Sequence, residues 1–158
     1  MYLLDTNIWL ERLLDQQRSE EVRIFLDKTP SACLFLTDFA FHSIALALLR
    51  LGRASVLPQF EKDVFVDNSV FMLRLAPEDS ESLLTANDAI RLDFYDAYQS
   101  VASVKYDPIL VSFDIDLDKT DRGRKTPDEL GVWGNWQLPG KPHLPTINQP
   151  QGKLPIGI

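Results

Sequence analysis

The sequence predicts an α/β fold in which a mostly parallel sheet is covered by helices on both faces. Short, almost wholly apolar runs at residues 2–4, 32–36, 70–75 and 109–113 alternate with longer segments of helical periodicity. Strands that read as continuous apolar runs are buried on both faces, which is the condition of a parallel sheet between helical layers. With 158 residues, 45% of them apolar, the chain is long enough to bury one such core.

Tyr2, Leu3 and Leu4 form the first strand, and Asp5, Thr6 and Asn7 are residue types that cap the helix begun by Ile8 and Trp9. A second helix is expected over residues 19–28, with Val22, Phe25 and Leu26 at helical spacing and acids early, lysine late. Pro30 stops it. Residues 32–36 read as a buried strand, after which Thr37 and Asp38 cap an apolar core helix ending near Gly52. A further helix is expected over residues 56–67 and a third strand over 70–75. Pro77 with the acids behind it opens the next helix. The segment 92–106 follows as a helix with an apolar stripe of Ala97, Val101 and Val104. Pro108 and the strand at 109–113 close the pattern.

From Gly131 onward the character changes. Residues 131–158 hold five of the ten prolines, five of the seven glycines, two lysines and no acids. They are read as a Pro/Gly-rich extension to a domain of residues 1–130, with Trp133 and Trp136 as docking aromatics. The net charge of −7 argues against a broad electrostatic footprint on nucleic acid or an anionic membrane. Cys33, the single cysteine, is expected to be a buried thiol in a reducing compartment. No basic leader precedes an apolar stretch and no run reaches the 18 or so apolar residues of a membrane span, so a cytoplasmic protein is expected.

Function is carried by aspartates. Asp5 and Asp114 each follow an apolar strand directly, the place where ligands bind in parallel sheets, and Asp96 opens a helix. Two carboxylates about 6 Å apart at an effective dielectric of about 20 repel by roughly 3 kcal/mol, so a converging set either protonates or holds a cation. Carboxylate and water oxygens suit Mg2+ or Mn2+, and phosphate esters are the usual substrates. Asp5 is equally a helix N-cap. Asp93, three residues before Asp96, is assigned mainly to capping and Asp96 mainly to the site. Asn7 and Ser112 are candidate partners orienting the acids. Arg12, Arg50, Arg91 and Lys105 are candidate phosphate contacts.

The run Phe113-Asp114-Ile115-Asp116-Leu117-Asp118 fails as a calcium loop, because the positions that need glycine and glutamate are Lys119 and Lys125. A haloacid-dehalogenase-like phosphatase, with Asp114 and Asp116 as its D-x-D, is a distant alternative, since that motif normally opens its chain.

LLDTN at the start, the DA of LDFYDA and the late ILVSFDIDL resemble the three acidic motifs of PIN-domain ribonucleases, including VapC-type toxins of toxin and antitoxin pairs. The resemblance spans roughly residues 2–130. It implies a three-layer α/β/α sandwich, Mg2+ or Mn2+ held by Asp5, Asp96 and Asp114 with Asp116 as a fourth carboxylate, and hydrolysis of RNA phosphodiesters. It further implies a homodimer and an antitoxin partner. The family commonly carries a glutamate on the helix after the second strand, where alignment places His42. A non-catalytic PIN-like binding or assembly module is therefore the alternative reading.

Overall fold

The computed structural model describes residues 1–131; the Pro/Gly-rich extension beyond Gly131, with Trp133 and Trp136, lies outside the described residues. Strands β1 (Tyr2–Leu4), β2 (Leu34–Thr37), β3 (Phe71–Leu73) and β4 (Ile109–Val111) form one sheet in the order β3-β2-β1-β4. Every pairing is parallel, in the register Tyr2↔Leu34, Tyr2↔Ile109 and Phe35↔Phe71.

Alternation along the strands sorts side chains onto two faces. Tyr2, Leu4, Leu34, Leu36 and Val111 point into one core, where they meet Ile8 and Trp9 of α1 (Thr6–Leu13), Val22 and Phe25 of α2 (Ser19–Lys28), and Ile44 and Leu48 of α3 (Asp38–Arg50). Phe60 of α4 (Leu57–Glu61) completes that layer. Leu3, Phe35, Leu73 and Leu110 point the other way, onto Ala102 of α6 (Phe94–Tyr106) and Leu117. Helix α5 (Ser80–Ile90) packs against α6, and α7 (Pro127–Gly131) against α2. Helix layer, sheet, helix layer is the α/β/α sandwich that was expected. Among the described residues no helix is long and apolar enough to cross a membrane.

Local chemistry sets the boundaries. The Asp5 carboxylate accepts from the Thr6 amide and starts α1, and the Thr37 hydroxyl accepts from the Ala40 amide (3.0 Å) and starts α3. Gly52 adopts φ +69°, which suits glycine, just past the end of α3. Four expectations need correction. The second strand begins at Leu34, because the residues after Pro30 make a 3-10 turn, Ser31–Cys33; Cys33 is consequently only half-buried. The helix expected to 67 gives way at Lys62 to a π-helical turn, Lys62–Asp67. α3 is not apolar on all sides toward a core, since Leu46 is 40% and Leu49 60% exposed. On α6, Val104 is 61% exposed; the buried face comprises Ala97 and Ala102 with the polar Gln99, Ser100 and Ser103.

The order β3-β2-β1-β4 creates a switch point. The chain leaves β1 toward β2 through α1 and α2 on one face, then returns from β3 to β4 through α5 and α6 on the other. Such a reversal opens a crevice beyond the carboxyl ends of the two strands that flank it, here the inner strand β1 and the outer strand β4. Asp5 and Ser112 are the first residues past those ends.

Candidate metal centre

The crevice holds a cleft of about 310 Å³ whose lining includes Asp5, Asp93, Asp96, Asp114, Arg50 and Tyr95. Asp5 is 7% exposed and heavily tied. Its Oδ1 accepts from the Thr6 amide (2.6 Å) and, at 3.4 Å, from the Gln99 amide group; its Oδ2 accepts from Asn7 (2.8 Å) and from the Ser112 hydroxyl (2.6 Å). Ser112 is the hub. Fully buried, it also takes a hydrogen bond from Asn7 (2.9 Å) and from the Asp114 amide (3.0 Å), so one hydroxyl fixes the acids at the ends of β1 and β4 relative to each other. The Asn7 carbonyl oxygen accepts from the Phe113 amide (3.1 Å), locking the same junction.

Behind Ser112 the sheet edge is reinforced. Its amide donates to the Lys125 carbonyl (3.0 Å), the Lys125 amide donates to Leu110 (2.8 Å), and Val111 and Lys125 form an isolated parallel bridge. The nearly buried guanidinium of Arg124 donates to the Ser112 carbonyl (3.1 Å) and pairs with Asp118 (3.3 Å).

Asp96, Asp114 and Asp116 offer one carboxylate oxygen each within 4.8 Å of one another. Asp96 is 8% exposed, and burial first, then the charges of Asp93, Asp114, Asp5 and Asp116, pushes its carboxyl up to about 7. Burial likewise raises Asp5; hydrogen bonds from Ser112 and Thr6 oppose that shift, and Asp114 and Asp93 add to it. Carboxylates held against their mutual repulsion form a hard, oxygen-only donor set, which fits Mg2+ or Mn2+. The three converging oxygens belong to Asp96, Asp114 and Asp116, whereas Asp5 stands beside them with its oxygens already engaged.

Asp93 caps α6, its Oδ1 accepting from the Asp96 amide (2.9 Å), and also lines the cleft. Asp116 is exposed and its Oδ1 pairs with Lys119 (2.6 Å). His42 does not line the cleft and is not packed in the core: it is exposed, with its ring 5.7 Å from that of Phe41, and the cleft lining takes Ser43 instead. The cause is helical geometry. Ala40, Ile44 and Leu48 face the core, and a residue two positions past Ala40 lies about 200° around the helix from it. Among the four candidate phosphate contacts, only Arg50 lines the cleft. Arg12 reaches Ser19 (3.5 Å), Lys105 pairs with Asp79, and Arg91 sits in a left-handed turn at φ 53° after α5.

The PIN domain family model matches residues 2–123. The chain belongs to the PIN-domain family. Solved structures share this fold. FitAcB from Neisseria gonorrhoeae is similar over 82% of this chain and 100% of its own, with a TM-score of 0.66 at 20% identity. A toxin-antitoxin complex from Klebsiella pneumoniae covers 80% and 98%, at 0.62 and 16%. A FitAB structure bound to a DNA fragment covers 80% and 95%, at 0.66 and 16%. No curated protein matches the sequence.

In this PIN domain the residues that sequence reading passed over are Gln99, Ser43, Tyr95 and Arg124. Gln99 had a signal: a polar residue three after Asp96 lies on the same side of the helix as that acid. The others face the cleft or grip its backbone through tertiary contacts that no local pattern announces. Ser112→Ala leaves Asp5 without its shortest side-chain donor and frees the Asp114 loop. We expect the variant to bind Mn2+ about 10- to 100-fold more weakly, read by calorimetric titration; an unchanged affinity would refute the hub role.

Proposed function

We propose that this PIN domain is a divalent-metal-dependent endoribonuclease, acting as the toxin of a toxin and antitoxin pair. The observation that carries the reading is the convergence of Asp96, Asp114 and Asp116 oxygens within 4.8 Å, beside the buried Asp5 at a sheet switch point. In this reading Asp96, Asp114 and Asp116 hold the cation. A divalent cation held there would lower the pKa of a water and bring positive charge to the phosphate oxygens.

The chain's own residues do the positioning. Ser112 and Asn7 hold Asp5 and the Asp114 loop in fixed relation, which preorganises the negative face of the cleft. Arg50, across the cleft and without an ion-pair partner among the described residues, supplies the cation that draws a phosphate into an otherwise acidic crevice. The solved neighbour named as a toxin-antitoxin complex supports an antitoxin partner, and a homodimeric assembly is part of the same proposal. The phosphatase alternative finds no support in a PIN-domain chain whose Asp114-x-Asp116 follows the last strand of the sheet.

A second reading is a non-catalytic PIN module. α3 contributes Ser43, not a carboxylate, to the cleft, which leaves one wall without acid. The two separate on incubation of the purified chain with single-stranded RNA: cleavage in Mn2+ that stops in EDTA supports the nuclease. Intact RNA across Mg2+, Mn2+ and other divalent ions would assign the chain to the second reading.

A further inference from the structure

Tyr95 brings an aromatic ring to the cleft, and Phe94 adjoins it in sequence. Phe94 and Tyr95, the first two residues of α6, are 48% and 49% exposed, and Tyr95 lines the same cleft as Asp93, Asp96 and Arg50. Two adjacent half-exposed aromatic rings beside the carboxylates present a contiguous surface to a ligand of the cleft. These two are also held rigidly. Phe39 of α3 meets Phe94 edge-on (5.4 Å between ring centres, 68°) and Tyr95 at a tilt (4.9 Å, 49°), and itself stacks on Tyr98 (4.9 Å, 19°). Tyr98 is anchored in turn: its hydroxyl donates to Asp38 (2.8 Å) and accepts from the Leu75 amide (2.9 Å). The rings therefore form a preorganised step, and a ligand that lands on it orders little.

We propose that Phe94 and Tyr95 are a base-stacking platform that sets the specificity of the cleft for single-stranded nucleic acid, holding one unstacked base beside the phosphate that Arg50 and the carboxylate centre receive. This rests on the nuclease reading and deepens it. A protein partner is disfavoured by composition: the proposed cation site, an arginine without an ion-pair partner among the described residues and aromatic faces match the alternating charge, phosphate and π-surface of a nucleotide. A duplex does not fit, because its bases are already stacked and paired. The aromatic faces carry no hydrogen-bonding edge of a base, so the platform selects for an accessible base and tolerates its identity.

The experiment compares steady-state cleavage of a short single-stranded RNA, the same strand in a duplex, and a series with one abasic position moved along it. The enzymes are the wild-type chain, Tyr95→Phe and the double variant Phe94→Ala/Tyr95→Ala. Both positions are half exposed, and melting curves establish that each variant is folded. The expected result is a KM raised about tenfold or more in the double variant, kcat changed far less, and Tyr95→Phe near wild type. One abasic position next to the cleaved bond should cost the wild type the same factor and the double variant nothing further. Wild-type cleavage with an unchanged KM in the double variant overturns the platform while leaving the nuclease intact. So does a double variant that keeps its KM but changes its elution on sizing, which would assign the rings to a protein interface. No cleavage by wild type defeats the nuclease reading, and the platform with it.

Discussion

Asp96→Asn should make the metal-free protein more stable at pH 8 and abolish its activity. The two effects share one cause. At pH 8 the wild-type Asp96 is ionised in a buried position against Asp93, Asp114, Asp5 and Asp116, having been pushed up to about 7. Asparagine keeps the shape and removes the charge, so the variant is expected to gain on the order of 2 kcal/mol in EDTA, the full shift being halved for water in the cleft. Urea denaturation at pH 8 measures this. A variant less stable than wild type would mean that Asp96 is held by partners rather than strained by neighbours. In Mn2+ the order reverses, because asparagine is a poor ligand and the wild type alone gains from the ion. Cleavage should fall at least about a hundredfold, as when one charged group of a metal or oxyanion site is removed. A site strained when empty and relaxed when loaded is the usual compromise between stability and activity.

The second large effect is the pH dependence. Since the folded-state value of Asp96 lies above its ordinary 3.8, the folded protein keeps a proton that the unfolded chain releases. That contribution is fully present below about pH 4 and is lost as the pH rises through about 7, so the metal-free protein should melt at a lower temperature at pH 8 than at pH 5.5. Asp5, raised in the same direction, adds the same sign. Mn2+ binding displaces the proton and inverts the trend: at pH 5.5 the ion competes with it, and apparent affinity should drop about 30-fold relative to a fully ionised site. At pH 8, with the ion at about 1,000 times its dissociation constant, it should stabilise by about 4 kcal/mol. Melting curves at both pH values, with EDTA and with Mn2+, give all four corners. A Mn2+ shift equal at pH 5.5 and 8 would place the ion away from Asp96.

Much of this was legible in the sequence wherever the signal is local. The strand, cap and helix around Asp5, the helix over residues 19–28, and the Thr37 cap depend on side chains within four residues of one another, and each stands where expected. So does Asp93 as the cap before Asp96. What failed depended on direction in space. His42 and Ser43 are adjacent in sequence but about 100° apart around α3, and only the packing of Ala40, Ile44 and Leu48 decides which one meets the cleft. On α6 a hydrophobic stripe pointed to Val101 and Val104, yet the buried face uses Ser100, Ser103 and Gln99. Small or hydrogen-bonded residues let that helix lie close to the sheet near Asp5, and composition alone does not register a polar group that finds its partner inside. The convergence of Asp96 with Asp114 and Asp116 is likewise a product of the sheet's strand order.

The single bridge between Val111 and Lys125 gives the cleft a lifetime of its own. β4 is an outer strand of the sheet, and beyond it the backbone of the Ser112 to Arg124 segment is fastened at one rung, with Arg124 gripping the Ser112 carbonyl. Opening that rung would free the outer side of β4 and leave Ser112 and the Asp114 loop to their bonds with Asp5 and Asn7 and to the buried Leu117, while β1, β2 and β3 stay paired. Persistence of the acids in their working arrangement is thus a sub-global property, governed by breathing at one margin and not by the melting of the whole molecule.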